Sequence, residues 1–74
     1  MTQDYQLRPR FGMTVLDINS QAIGKVANTD RNRFEITTPA AQSVWVSTDI
    51  IYVTGRHSVE LICPRTGIDR YRAQ

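Results

Sequence analysis

The feature that most constrains this chain is an alternation of apolar and other residues with a period of two. It occurs in four stretches: 13–16, 33–37, 44–47 and 58–62. Such alternation is typical of strands that bury one face in a core. Turn-forming residues separate the stretches at short intervals, at Asn19-Ser20, 29–32, 39–42 and Gly55. The pattern therefore favours a small all-β domain over any helical fold.

The spacing predicts strands at about 12–18, 22–29, 32–38, 43–48, 51–54 and 58–63. We expect them to form a six-stranded antiparallel β-barrel, similar in size to an SH3 domain, because closure removes exposed sheet edges. Ser47–Ile50 has the side chains to cap one 3₁₀ turn, which would place Ile50 in the core. After Pro64, residues 66–69 are compatible either with a capped helical turn or with a frayed end.

The length and the cysteine content bound the stability of the domain. A chain of 74 residues is one domain, 1–74, with the barrel at about 11–63 and tails at 1–10 and 64–74. At this size folding hides only about 60% of the surface of the unfolded chain. Cys63 is the only cysteine, and no His/Cys cluster has metal-ligand spacing. Because neither a disulfide within the chain nor a metal stabilises the fold, self-association is a serious possibility.

Charge and targeting signals bound the function. The formal net charge is +2, and the excess lies in the first ten and last ten residues, whereas the middle is net negative. Eight of the nine basic residues are arginine, which suits bidentate contacts to carboxylate or phosphate. Residues 1–12 lack the apolar run of a signal peptide, and the longest apolar run, 50–53, is too short to cross a bilayer. We expect a cytoplasmic protein with no membrane insertion, and one free cysteine fits a reducing compartment.

Several motifs occur in order along the chain: Gly12-Met13-x-Val15-x-Asp17, Ile23-Gly24-Lys25-Val26, Trp45–Ile51 with Val53 and Gly55, and Val59-x-Leu61. Over residues 11–63 this pattern resembles the PRC-barrel superfamily, and more narrowly its short free-standing bacterial members. The resemblance implies a small barrel used as a binding module, with no active site shared across the family. The chain departs from the family pattern at Ser20, where glycine is usual, and at Ser47, where proline is common. Serine at a positive-φ position is strained, so the first turn could also differ in type or length.

Each residue that could suggest catalysis has a stronger structural interpretation. His57 stands alone beside a turn glycine, and Cys63 lies in the inward register of the last strand. Asp17 and Asp49 stand beside a turn and a corner, where aspartate commonly accepts hydrogen bonds from backbone amides. We therefore expect no catalytic residue, no metal site and no cofactor.

The outward register is where a binding function is expected. If Met13, Val15, Phe34, Ile36, Val44, Val46, Val59 and Leu61 fill the barrel, several large apolar residues point away from it. These are Leu16, Ile18, Trp45, Tyr52 and Ile62. This is more exposed apolar surface than a protein without a binding partner usually has. Two alternatives stay open: the tails cover them, or they form an interface with a protein partner or a second copy in a homodimer.

Three function classes follow, in order of preference. The first is a non-catalytic protein-interaction or assembly module that uses the outward apolar residues. The second is a nucleic-acid-associated module, because the first hairpin superficially resembles the RNA-associated KOW element and because several arginines could contact phosphate. These are Arg31, Arg33, Arg56, Arg70 and Arg72. The net negative middle of the chain disfavours this second class, and an enzyme ranks last for lack of any catalytic constellation.

Overall fold

Six strands build one sheet in the computed structural model, which describes residues 8–72. They are β1 (Thr14–Leu16), β2 (Ala22–Thr29), β3 (Arg33–Thr37), β4 (Ser43–Ser47), β5 (Ile51–Thr54) and β6 (Ser58–Leu61). Two 3₁₀ elements, Thr48–Ile50 and Arg65–Tyr71, complete the described chain. The expected mostly-β composition and the six strands are confirmed. β1 is shorter than predicted, because a left-handed Gly12 with φ of 88° precedes it and the Asp17 turn follows it.

The strand order is β4-β3-β2-β1-β6-β5, and it corrects the predicted antiparallel barrel in two respects. First, β1 and β6 run parallel, with Thr14 beside Ser58 and Leu16 beside Glu60. Second, within residues 8–72 no ladder joins β4 to β5, so the sheet is not closed. A parallel pair needs a long crossover, and here four strands lie between β1 and β6 in the chain.

The core contains most of the residues that alternation predicted. Seven of the eight expected inward side chains are buried, and Val44 is half-buried against them. The buried seven are Met13, Val15, Phe34, Ile36, Val46, Val59 and Leu61. Ile50 and Cys63 are also buried, as predicted.

A β-bulge in β2 adds a core residue that a period of two does not predict. Val15 stands opposite Gly24 and Leu16 stands opposite Ala22, which leaves Ile23 without a partner on β1. Ile23 and Val26 are both buried although they are three positions apart. The extra residue of a bulge shifts the alternation by one position, so both side chains reach the core.

The segment after Pro64 is packed against the domain. It forms a 3₁₀ helix, Arg65–Tyr71, which matches the first of the two alternatives for this region. Ile68 joins the core cluster with 6% of its surface exposed. Arg72 then forms an antiparallel bridge with Val46, so the C-terminal segment covers part of the free edge of β4.

Candidate functional site

An apolar patch lies on the outer face of the sheet where β1, β6 and β5 are neighbours. The parallel register places Leu16 beside Glu60, and the antiparallel register places Val53 on the other side of Glu60. Ile18 and Ile62 follow just after the ends of β1 and β6. The two segments remain adjacent there, because the Ile18 N–H donates to the Cys63 carbonyl at 3.1 Å. We call the outward apolar residues of these strands the outer patch: Leu16, Ile18, Tyr52, Val53 and Ile62.

Most of the outer patch is open to solvent. Tyr52 is 73% exposed and Ile18 is 58% exposed, whereas Leu16 is half-buried. The described C-terminal segment therefore does not cover the patch, and the N-terminal tail as far as Leu7 lies outside the described residues. A charged side chain, Glu60, adjoins the patch and is half-buried between Leu16 and Val53.

Val53 is a patch residue that the sequence pattern did not indicate. A strict alternation that turns Tyr52 outward turns Val53 inward. The register of β5 against β6 shifts between Ile51 and Val53, and both Tyr52 and Val53 are exposed as a result. A β-bulge changes the face of the sheet on which the following side chains lie.

Trp45, which was also predicted to point outward, lies apart from the outer patch. It lies on β4, three strands from β1 in the sheet, or about 14 Å at the usual strand spacing. The Arg33 guanidinium stacks on the indole at 4.4 Å from the ring centroid. The Arg33 Nε also donates to Asp30 Oδ2 at 3.3 Å. Trp45 is half-buried by this local cation–π contact.

The structure places the predicted anion-binding arginines at separate points. Arg31 lies in the β2–β3 turn, Arg56 in the β5–β6 turn, and Arg70 and Arg72 near the end of the C-terminal 3₁₀ segment. Arg33 is engaged by Asp30 and Trp45.

Asp17 is a buried carboxylate with a structural role. Its Oδ1 accepts the N–H groups of Asn19 at 2.8 Å and Gln21 at 2.9 Å, and its Oδ2 accepts the N–H of Arg65 at 3.2 Å. These backbone bonds, led by that from Gln21, hold the pKa of Asp17 below its usual value against the opposing effect of burial. Asp17 thus joins the β1–β2 turn to the start of the C-terminal segment, which extends its predicted role in the turn.

The surroundings of the other candidate polar residues also favour structural roles over catalytic ones. Burial raises the pKa of the Cys63 thiol, which disfavours the reactive thiolate. His57 is exposed, and its backbone carbonyl accepts the Thr14 N–H at 3.1 Å. At the corner before β5, the Asp49 N–H donates to Ser47 Oγ at 3.1 Å, so Ser47 provides the side-chain cap that was predicted for the 3₁₀ turn at 47–50. Across residues 8–72, no three His, Cys, Asp or Glu side chains cluster as a metal site would require.

Comparisons of the chain with protein-family models, with curated proteins and with solved structures found no match. No helix in the described part of the chain is both long and apolar enough to span a membrane.

Proposed function

We propose that this domain is a non-catalytic protein-interaction module, and that its outer patch binds a protein partner and also a second copy of the chain. The observation that carries the proposal is the exposure of four large apolar side chains on β5 or just after the ends of β6 and β1, the next two strands in the sheet: Ile18, Tyr52, Val53 and Ile62. Contiguous exposed apolar surface of this kind is typical of protein interfaces. A relationship to PRC-barrel domains is part of the proposal and rests on the sequence motifs. A cytoplasmic location is also part of the proposal and rests on the single cysteine.

The dimer is expected to be weak. Burying one large apolar side chain contributes about 1.5–3 kcal/mol. Association costs about 4–15 kcal/mol in lost translational and rotational freedom, so a patch of this size leaves a small surplus. Glu60 opposes a symmetric dimer further, because two copies meeting through this face bring two carboxylates towards each other.

Light scattering over a range of protein concentrations tests the proposal. The mass should rise with concentration for the wild type and stay monomeric for Ile62→Glu, which places a charge in the patch. Gln42→Glu is the matched control, because it adds the same charge at an exposed position of the β3–β4 turn. Glu60→Gln should strengthen self-association by removing the like-charge repulsion. A wild type that stays monomeric throughout would refute the dimer, and equal effects of the two glutamate variants would refute the assignment to the patch.

The nucleic-acid alternative has less support. Phosphate binding needs several basic side chains on one surface. Here Arg33 is held by Asp30 and Trp45, and Arg31 and Arg56 lie in two different turns, β2–β3 and β5–β6. A titration with an RNA oligonucleotide at two salt concentrations checks this: phosphate contacts produce a steep salt dependence, which an apolar interface does not.

A further inference from the structure

The two ends of the sheet differ in how their edges are covered. The outer edge of β4 is bridged by Arg72 through Val46. β5 pairs only with β6 among the described residues, and an open groove of about 590 Å³ runs along its other side. Arg8, Pro9 and the 29–31 turn line this groove together with β5. Its volume lies within the range of about 300–1,000 Å³ that is usual for binding pockets.

The hydrogen-bond pattern of the β5–β6 hairpin determines which backbone groups face the groove. The Gly55 N–H donates to the Ser58 carbonyl at 2.8 Å, so these two residues form a hydrogen-bonded pair. Hydrogen-bonded and non-hydrogen-bonded pairs alternate along an antiparallel ladder. The next pair, Thr54 with Val59, is therefore non-hydrogen-bonded. It follows that the N–H and the carbonyl of Thr54 point away from β6.

The other end of β5 has a similar arrangement. The Ile62 N–H donates to the Ile50 carbonyl at 2.9 Å, so the neighbouring pair of Ile51 with Leu61 is non-hydrogen-bonded. The Ile51 carbonyl then points away from β6, while the Ile51 N–H donates to Thr48 in the 3₁₀ turn. β5 thus presents one donor and two acceptors along its outer edge, which is the template that an added strand requires.

The charges at the groove indicate the chemistry of the occupant. Arg8 and Arg31 both line it. Asp30 lines it too, but its Oδ2 accepts from Arg33 and its Oδ1 accepts the Arg31 N–H at 2.8 Å. The guanidinium groups of Arg8 and Arg31 have no carboxylate within ion-pair distance among residues 8–72. The groove is therefore basic, which disfavours a second copy of this edge and favours an acidic partner.

We propose that the groove binds an extended acidic segment of a partner protein, which adds as a strand to the outer edge of β5. Main-chain hydrogen bonds to Thr54 and Ile51 would provide affinity, and acidic side chains on one face of the segment would pair with Arg8 and Arg31. The inference rests on the proposed function in that the partner is a protein. It adds a groove that adjoins the outer patch and shares Tyr52 and Val53 with it, whereas Ile18 and Ile62 do not line the groove.

The test is an NMR titration of isotope-labelled protein with two synthetic peptides, one alternating valine with glutamate and the other alternating valine with lysine. We expect the valine–glutamate peptide to shift the amide signals of Thr54 and Arg31, and the lysine peptide to bind more weakly. Arg31→Glu should weaken binding about tenfold, because an ion pair is lost and a repulsion replaces it. Arg56→Glu makes the same change of net charge in the β5–β6 turn and should leave the affinity within about twofold. Thr54→Pro removes the outward N–H, which an edge strand tolerates, and should abolish binding.

Each contrary result has a distinct meaning. Shifts at Ile18 and Ile62 in place of Thr54 would assign the peptide to the outer patch, which overturns strand addition and leaves the proposed function standing. Equal weakening by Arg31→Glu and Arg56→Glu would show attraction by net charge alone. An RNA oligonucleotide that displaces the peptide from the Thr54 signal would make the groove a nucleic-acid site. The absence of any shift would also overturn strand addition, whereas the proposed self-association is decided separately by light scattering.

Discussion

Ser20→Gly is the substitution for which the structure predicts a gain in stability. Ser20 has a φ of 63° in the turn between β1 and β2, the left-handed region that favours glycine. Its N–H donates to the Asp17 carbonyl at 2.9 Å, and this backbone bond is retained in the variant. The Ser20 side chain is exposed and makes no hydrogen bond to another described residue, so the substitution removes no contact from this part of the fold.

The expected magnitude is a difference between two opposing effects. A left-handed backbone costs a residue with a Cβ about 1–2 kcal/mol, and glycine removes this cost. Glycine also gives the unfolded chain more conformational freedom, which offsets about 0.4–1 kcal/mol. The net gain should be about 0.5–1 kcal/mol, which corresponds to about 3–6 °C in Tm for a domain of this size.

Urea unfolding followed by circular dichroism measures this change, with Ser43→Gly as the matched control. Ser43 is an exposed serine in β4, where glycine should destabilise the extended backbone by about 0.5–1 kcal/mol. Ala41, with a φ of 62°, offers a second positive case, and Ala41→Gly should shift the midpoint in the same direction as Ser20→Gly. A lowered midpoint for Ser20→Gly, with the control behaving as expected, would refute the left-handed turn.

Three other perturbations test the packing and the electrostatics of the domain. Gly24→Ala should lower the urea midpoint, because a Cβ at this position would overlap the carbonyl oxygen of Thr37 on β3. Gly67→Ala is the control and should change the midpoint much less, because its Cβ would meet its nearest atom at 3.5 Å. Asp17→Asn should be less stable than the wild type at neutral pH, and because the folded pKa of Asp17 is lowered, the difference in a series of urea unfolding curves should shrink as pH falls below 3.8. Ile68→Ala should cost about 2–5 kcal/mol in urea unfolding if the C-terminal segment is part of the core, and a neutral result would show that the segment does not pack in solution.

The sequence alone was sufficient to predict the strands and most of the core. Alternation around Val15, Phe34 and Val59 predicted which side of each strand is buried, because that property depends on residues two positions apart in the chain. The positive φ at Ser20 was expected only from the glycine that the family resemblance places there, and the turn residues themselves left the type and length of the turn open. Three of the five residues that were predicted to point outward, Ile18, Tyr52 and Ile62, are exposed.

The bulges mark where this local reasoning ends. Ile23 is buried and Val53 is exposed, each against a strict period of two, because an extra residue in one strand shifts the alternation. A bulge depends on how two strands pair, and the residues of one strand do not determine the register in which it pairs with another.

The tertiary structure alone decided the strand order and therefore the geometry of the candidate sites. The pairing of β6 with β1 brings Ile62 beside Ile18, although more than half of the chain lies between them, and the same order separates Trp45 from both. It also leaves β5 at an edge beside Arg8 and Arg31, which creates the groove. Strands with the same inward and outward pattern can be arranged in several orders with the same local preferences. The choice among these orders depends on how all six strands bury their apolar faces together, which is an energy of the whole fold that no single segment contains.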